Sequence, residues 1–111
     1  MKKRDVVVSE DAIVDIEEAP AFYDRQERGL GDYFISCLMS DLESLGFFAG
    51  IHSVWFGYHR MLAKRFPFAI YYDLVEELVV IMAVLDMRRN PSTIRKRLSD
   101  SSRAAPSPAP R

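Results

Sequence analysis

The unbroken apolar run Leu78-Val79-Val80-Ile81-Met82-Ala83-Val84-Leu85 leaves few folds open to this chain of 111 residues. It is far shorter than the roughly 20 residues a helix needs to cross a bilayer. Its length and β-branched content make it a strand, 78–87, and only a strand covered on both faces tolerates such continuous apolarity. The run therefore belongs inside a sheet with helices over one face. The other face needs a cover of its own: the connection 47–57, the residues near 91–98, or a partner chain. A chain this short supports one such core, because two would each bury too little surface to offset chain entropy.

The helices lie upstream. Asp5-Val6-Val7-Val8 is a short β-branched strand, and Ser9 followed by Glu10 and Asp11 offers a helix start both a capping hydroxyl and charges that suit its dipole. Within 9–27, Ala12, Ile16, Ala19 and Tyr23 recur at helical spacing, with a kink or break expected at Pro20. Gly29-Leu30-Gly31-Asp32 then punctuates the chain. Phe34, Leu38, Leu42 and Leu45 mark a second helix, so 9–46 reads as a helical hairpin. Residues 47–57 show no clear period and read as irregular. Strands follow at 58–65, 68–75 and 78–87, and Pro67 and Glu76-Glu77 mark the turns of an antiparallel meander. The fold class is α+β in the order β-α-α-β-β-β, one domain over 1–98 with a short basic segment at its end. The Ser/Pro/Ala-rich tail 99–111 is expected to be disordered.

With 49% hydrophobic residues the chain is too apolar for a disordered protein. Its net charge of -1 excludes capture of nucleic acid by bulk positive charge. That total is a cancellation, since residues 1–46 carry 5 basic and 11 acidic side chains, or -6, and residues 47–111 carry 10 and 5, or +5. The cations cluster as Arg60, Lys64 and Arg65, then Arg88 and Arg89, then Arg95, Lys96 and Arg97. Pairing of the strands could bring these together into a patch suited to phosphates or carboxylates. Cys37 is the only cysteine, so neither an intrachain disulfide nor a cysteine zinc cage can form. The basic Met1–Arg4 is followed by too few apolar residues for a secretion signal, so a reducing cytoplasmic setting is expected. His52 and His59 lack a carboxylate arrangement between them, and neither a metal nor a cofactor is expected.

Gly29-Leu30-Gly31-Asp32-Tyr33-Phe34, Arg65-Phe66-Pro67-Phe68-Ala69-Ile70-Tyr71-Tyr72 and Val84-Leu85-Asp86-Met87-Arg88-Arg89-Asn90-Pro91 resemble the RelE/ParE family of bacterial toxins over about Val6 to Leu98. The resemblance implies a growth-arresting toxin silenced by a cognate antitoxin in a hetero-oligomer, with no membrane partner. Family members either poison DNA gyrase, as ParE-like toxins do, or cut mRNA in the translating ribosome, as RelE-like ones do.

Metal-free RNA cleavage needs a base for the 2′-hydroxyl, cations for the phosphorane and an acid for the leaving oxygen. His59, Tyr71, Tyr72 or Asp86 could move protons, with Arg60 and Arg65 among the phosphate holders. Asp86-Met87 stands where nuclease-type relatives carry a histidine or tyrosine, and Phe66-Pro67-Phe68 with Arg88-Arg89-x-Pro91 looks closer to ParE-like sequences. The reading is thus gyrase inhibition, with the endoribonuclease and an inactive, antitoxin-binding regulator as alternatives. Tyr72 is expected in the core and Tyr71 to be the freer tyrosine. Cys37 reads as an inert buried thiol, and Trp55 and Phe56 as core aromatics or partner-gripping ones. An antitoxin segment is expected on the uncovered sheet face.

Overall fold

The computed structural model describes residues 3–104. They form β1 (Asp5–Val8), α1 (Glu10–Gln26), α2 (Leu30–Phe48), β2 (Val54–Trp55), β3 (Tyr58–Leu62), β4 (Phe68–Val75), β5 (Leu78–Asp86) and α3 (Pro91–Ala104). The sheet order is β1-β5-β4-β3-β2. β1 runs parallel to β5, with Val6 opposite Val79, and the remaining pairs are antiparallel. This is the α+β class expected, enlarged by β2 and α3.

The apolar run is an interior strand covered on both faces. Val79, Ile81 and Val84 join Ile70 and Tyr72 of β4 under the helical hairpin, where Phe34, Leu38 and Leu45 are buried. Met82, Ala83 and Leu85 face the other way with Tyr71, beneath Ile94 and Leu98 of α3. Both Met82 and Ala83 can point that way because the β4–β5 register slips there, pairing Tyr71 with Ala83 and Tyr72 with Ile81. The extra residue is a β-bulge. Of the three covers expected for this face, the segment near 91–98 supplies it, so no partner segment is needed there.

Local chemistry explains the boundaries. Ser9 Oγ accepts the Ala12 N–H at 3.2 Å, the cap its sequence promised. α1 continues through Pro20 as one helix, without the expected break. At the hairpin turn, a Cβ on Gly31 would lie 2.7 Å from the Pro20 carbonyl oxygen, so only glycine lets the two helices approach this closely. α2 extends to Phe48, leaving less irregular chain than expected, and the short edge strand β2 then pairs with β3. β3 stops at Leu62 instead of 65. Ala63 N–H donates to the Phe68 carbonyl at 2.8 Å, and Phe68 N–H turns back to the Phe66 carbonyl at 2.7 Å across Pro67. Proline has no N–H to continue a ladder, so Lys64 and Arg65 sit in a turn.

α3 starts on Asn90-Pro91. Asn90 Oδ1 accepts the Ser92 N–H at 2.8 Å and Pro91 takes the first helical position. The helix runs to Ala104, so the first part of the 99–111 tail is helical, and 105–111 lies outside the described residues. No helix among the described residues is long and apolar enough to cross a membrane.

Candidate target-binding surface

Strand pairing builds a cationic end on the sheet. Phe68 of β4 pairs with Asp86 of β5, and Met87 N–H donates to the Pro67 carbonyl at 2.8 Å. The turn carrying Lys64 and Arg65 therefore lies against the segment carrying Arg88 and Arg89. Arg89 lines a small cavity of about 170 Å³ with Asp15, Glu18, Phe22 and Asp86.

The expected cations are not equivalent. Arg88 is folded onto Asp86, with Nε 2.9 Å from Oδ1 and Nη2 2.7 Å from Oδ2, and its guanidinium lies over the Phe22 ring. Arg97 points inward to Asp15 at 2.7 Å and belongs to the packing of α3, not to an open patch. Arg60 lies on the α3 side of the sheet, 3.8 Å from the centre of the Trp55 ring, and Arg95 lies over Phe56 at 5.5 Å. Lys64, Arg65, Arg89, Arg95 and Lys96 are exposed. The open patch is thus Lys64, Arg65, Arg88 and Arg89 at the end of the sheet, with Arg60 and Arg95 stacked on the β2–β3 hairpin.

Asp86, Tyr71 and His59, three of the expected proton movers, are each paired, buried or stacked. The Arg88 guanidinium bonded to Asp86 holds that carboxyl below the usual range, which keeps it ionised and engaged. Tyr71 is not the freer tyrosine: it is 1% exposed beneath α3. His59 stacks on Tyr72, rings 5.1 Å apart and 21° from parallel, and its Nδ1 donates to the His52 carbonyl at 2.9 Å. Among the described residues no three His, Cys, Asp or Glu side chains converge as a metal site would. Cys37 is free and half-buried.

No family model matches the chain, and no curated protein matches it in sequence. The reading of the surface therefore rests on its own chemistry.

His52 and Tyr72 tie the loop before β2 to the sheet. Tyr72 Oη accepts the Gly50 N–H at 2.8 Å and lies 2.5 Å from His52 Nδ1, where the phenol O–H donates a hydrogen bond to the neutral imidazole. Burial, helped by the neighbouring His59, lowers the His52 pKa below its ordinary 6.5. The unfolded chain then binds the proton more readily, so this contribution to stability is complete above about pH 6.5 and is lost as the pH falls through the folded value. Urea midpoints measured between pH 7.5 and 5 are expected to fall with acid, and His52→Asn to flatten that fall. Parallel curves for the two proteins would refute this role for His52.

Trp55 and Phe56 are both about two-fifths exposed, at 43% and 41%, so they are not the core aromatics that one of the two expectations made them. Phe56 has φ 54° and Gly57 φ 89°, the two left-handed positions of a tight turn between paired Trp55 and Tyr58. Asparagine or glycine is favoured at the first of these, whereas a phenylalanine is strained there. Phe56→Asn is expected to raise stability by about 0.5–1 kcal/mol. If the exposed ring serves binding, the same variant also loses target or partner affinity. A substitution that destabilised the protein would show that the ring has a packing role instead.

Proposed function

We propose that this chain is a RelE/ParE-type toxin of the cytoplasm, kept inactive by an antitoxin, and that it arrests growth in the ParE manner by binding DNA gyrase through the cationic end of the sheet. The observation that carries the gyrase reading over RNA cleavage is the state of the proton-moving candidates. Asp86 is ion-paired with Arg88, Tyr71 is buried and His59 is engaged by His52 and Tyr72. A cleavage site needs a base within reach of a hydroxyl proton, whereas a binding surface needs only presented charge and shape. Lys64, Arg65 and Arg89 present that charge, and exposed Trp55 and Phe56 on the β2–β3 hairpin offer apolar surface as well.

Induction in a bacterial host tests the proposal. Growth should stop, plasmid supercoiling should change, and the purified chain should inhibit gyrase while translated messages stay intact. New cuts within codons, mapped by primer extension, would replace this reading with the endoribonuclease. Undiminished growth on induction would leave a regulatory partner of the antitoxin.

A further inference from the structure

Asp41 breaks the pattern of its own helix. Phe34, Leu38 and Leu45 are buried on the stripe of α2 that packs on the sheet, and Asp41 stands among them at the i, i+4, i+7, i+11 spacing of that stripe. At 4% exposure it is the one buried charged side chain among the described residues. Its surroundings repay the burial poorly. Among the described residues it has no ion-pair partner, and the carboxyl holds one hydrogen bond, from the Lys64 N–H to Oδ2 at 3.3 Å. A leucine here would complete the apolar stripe, whereas a buried carboxyl without a paired cation costs stability. Departures of this kind from the apolar pattern concentrate at working sites.

The one bond Asp41 makes leads to the cationic end of the sheet. Lys64 and Arg65 stand in the turn between β3 and β4, exposed. Beyond Arg65 that turn is fixed by Phe66, whose ring packs against those of Tyr23 and Phe34 with centres 4.8 and 5.1 Å apart, and by the Met87 N–H on the Pro67 carbonyl. Before Arg65, Asp41 is the one side chain among the described residues that holds the turn's backbone. Both clamps reach α2, one through Phe34 and the other through Asp41. We propose that Asp41 is a positioning residue of the target-binding surface, its buried carboxyl giving up stability to hold the Lys64 backbone so that Lys64 and Arg65 meet the target in a fixed arrangement. A turn ordered in advance spares the cost of ordering it on binding. The part Asp41 plays in binding rests on the cationic end being the working surface, whereas its hold on the turn does not.

Three variants of the full chain test this. Asp41→Leu completes the stripe, Asp41→Ala removes the carboxyl without adding bulk, and Asp41→Asn keeps an acceptor for the Lys64 N–H. The urea midpoint of the leucine variant, or of the alanine variant should leucine not fit, is expected at or above that of the unaltered chain. Hydrogen exchange should nonetheless quicken at least tenfold at the Lys64 amide in both, with the amides of α2 and β4 unchanged, and the inducer dose that arrests growth should rise at least tenfold. Asp41→Asn should keep most of the protection at Lys64 and most of the toxicity. An unchanged Lys64 amide in the leucine and alanine variants, a lower midpoint with faster exchange throughout α2, or an asparagine variant as impaired as the alanine one would overturn the proposal. So would full growth arrest by an alanine variant whose Lys64 amide has been released. Growth that continues when the unaltered chain is induced would remove the target reading instead, and exchange at Lys64 would then decide the hold of Asp41 on the turn by itself.

Discussion

Replacing Arg88 and Arg89 together by alanine is expected to abolish growth arrest while the protein still folds. The two side chains follow the last residue of β5, where the Met87–Pro67 hydrogen bond places them beside the Lys64–Arg65 turn. Both are exposed, and an exposed ion pair such as Arg88–Asp86 is worth about 0–1 kcal/mol, so their removal costs little stability. The singles should differ. Arg88 is already engaged by Asp86 and lies over Phe22, whereas Arg89 has no carboxylate within ion-pair distance among the described residues. Its guanidinium is the freer to meet a target, so Arg89→Ala should cost more toxicity than Arg88→Ala. Growth curves on induction, with a thermal melt of each purified variant, decide the matter. Wild-type arrest from a folded double variant would remove this end of the sheet as the working surface.

The cationic end was legible in the sequence because it depends on strand order. Once 58–65, 68–75 and 78–87 form a meander, Arg65 and Arg88 must lie near one end of it. Side-chain pairing across elements was not legible. Asp15 looks like any solvated acid on an amphipathic helix, and Arg97 like one more cation, until β5 and α3 bring them to 2.7 Å. Tyr71 and Tyr72 alternate as a strand requires, and Tyr72 took the predicted face. Which face stayed open depended on α3, whose buried apolar residues among those described are Ile94 and Leu98. The signal for that helix was nonetheless present: Asn90 and Pro91 are a capping residue and a first-turn proline in sequence. β2 has two residues, too few to leave a period, and its turn carries phenylalanine where asparagine would have announced it.

Asp15→Ala is expected to be the most destabilising single substitution outside the apolar core, at about 2–4 kcal/mol. β1 pairs with β5 only as far as Ile81, so beyond it the Val84 N–H has no neighbouring strand, and Asp15 Oδ2 of α1 accepts it at 3.0 Å. The same oxygen accepts the Arg97 guanidinium at 2.7 Å, so one carboxylate joins α1, β5 and α3. Burial raises the Asp15 pKa in spite of these donors and of nearby Arg89, so ionising the group here is costlier than in water. The sign follows from that shift: the folded state takes up the proton first, and this group alone favours folding more as the pH falls toward its unfolded value of 3.8. The pair is therefore no large net gain, and the cost of breaking it comes from what is left behind, an unpaired amide and a mostly buried guanidinium. Asp15→Asn, which keeps an acceptor for Val84, should cost less than Asp15→Ala. Asp15→Asn combined with Arg97→Met also removes the charge that has lost this carboxylate and should recover part of the loss. Urea denaturation of the three variants measures these differences, and hydrogen exchange should show α3 losing protection first in Asp15→Ala, because Ile94 and Leu98 would be left as its main hold on the sheet. Equal stability of wild type and Asp15→Ala would mean that α3 is held by its apolar contacts alone.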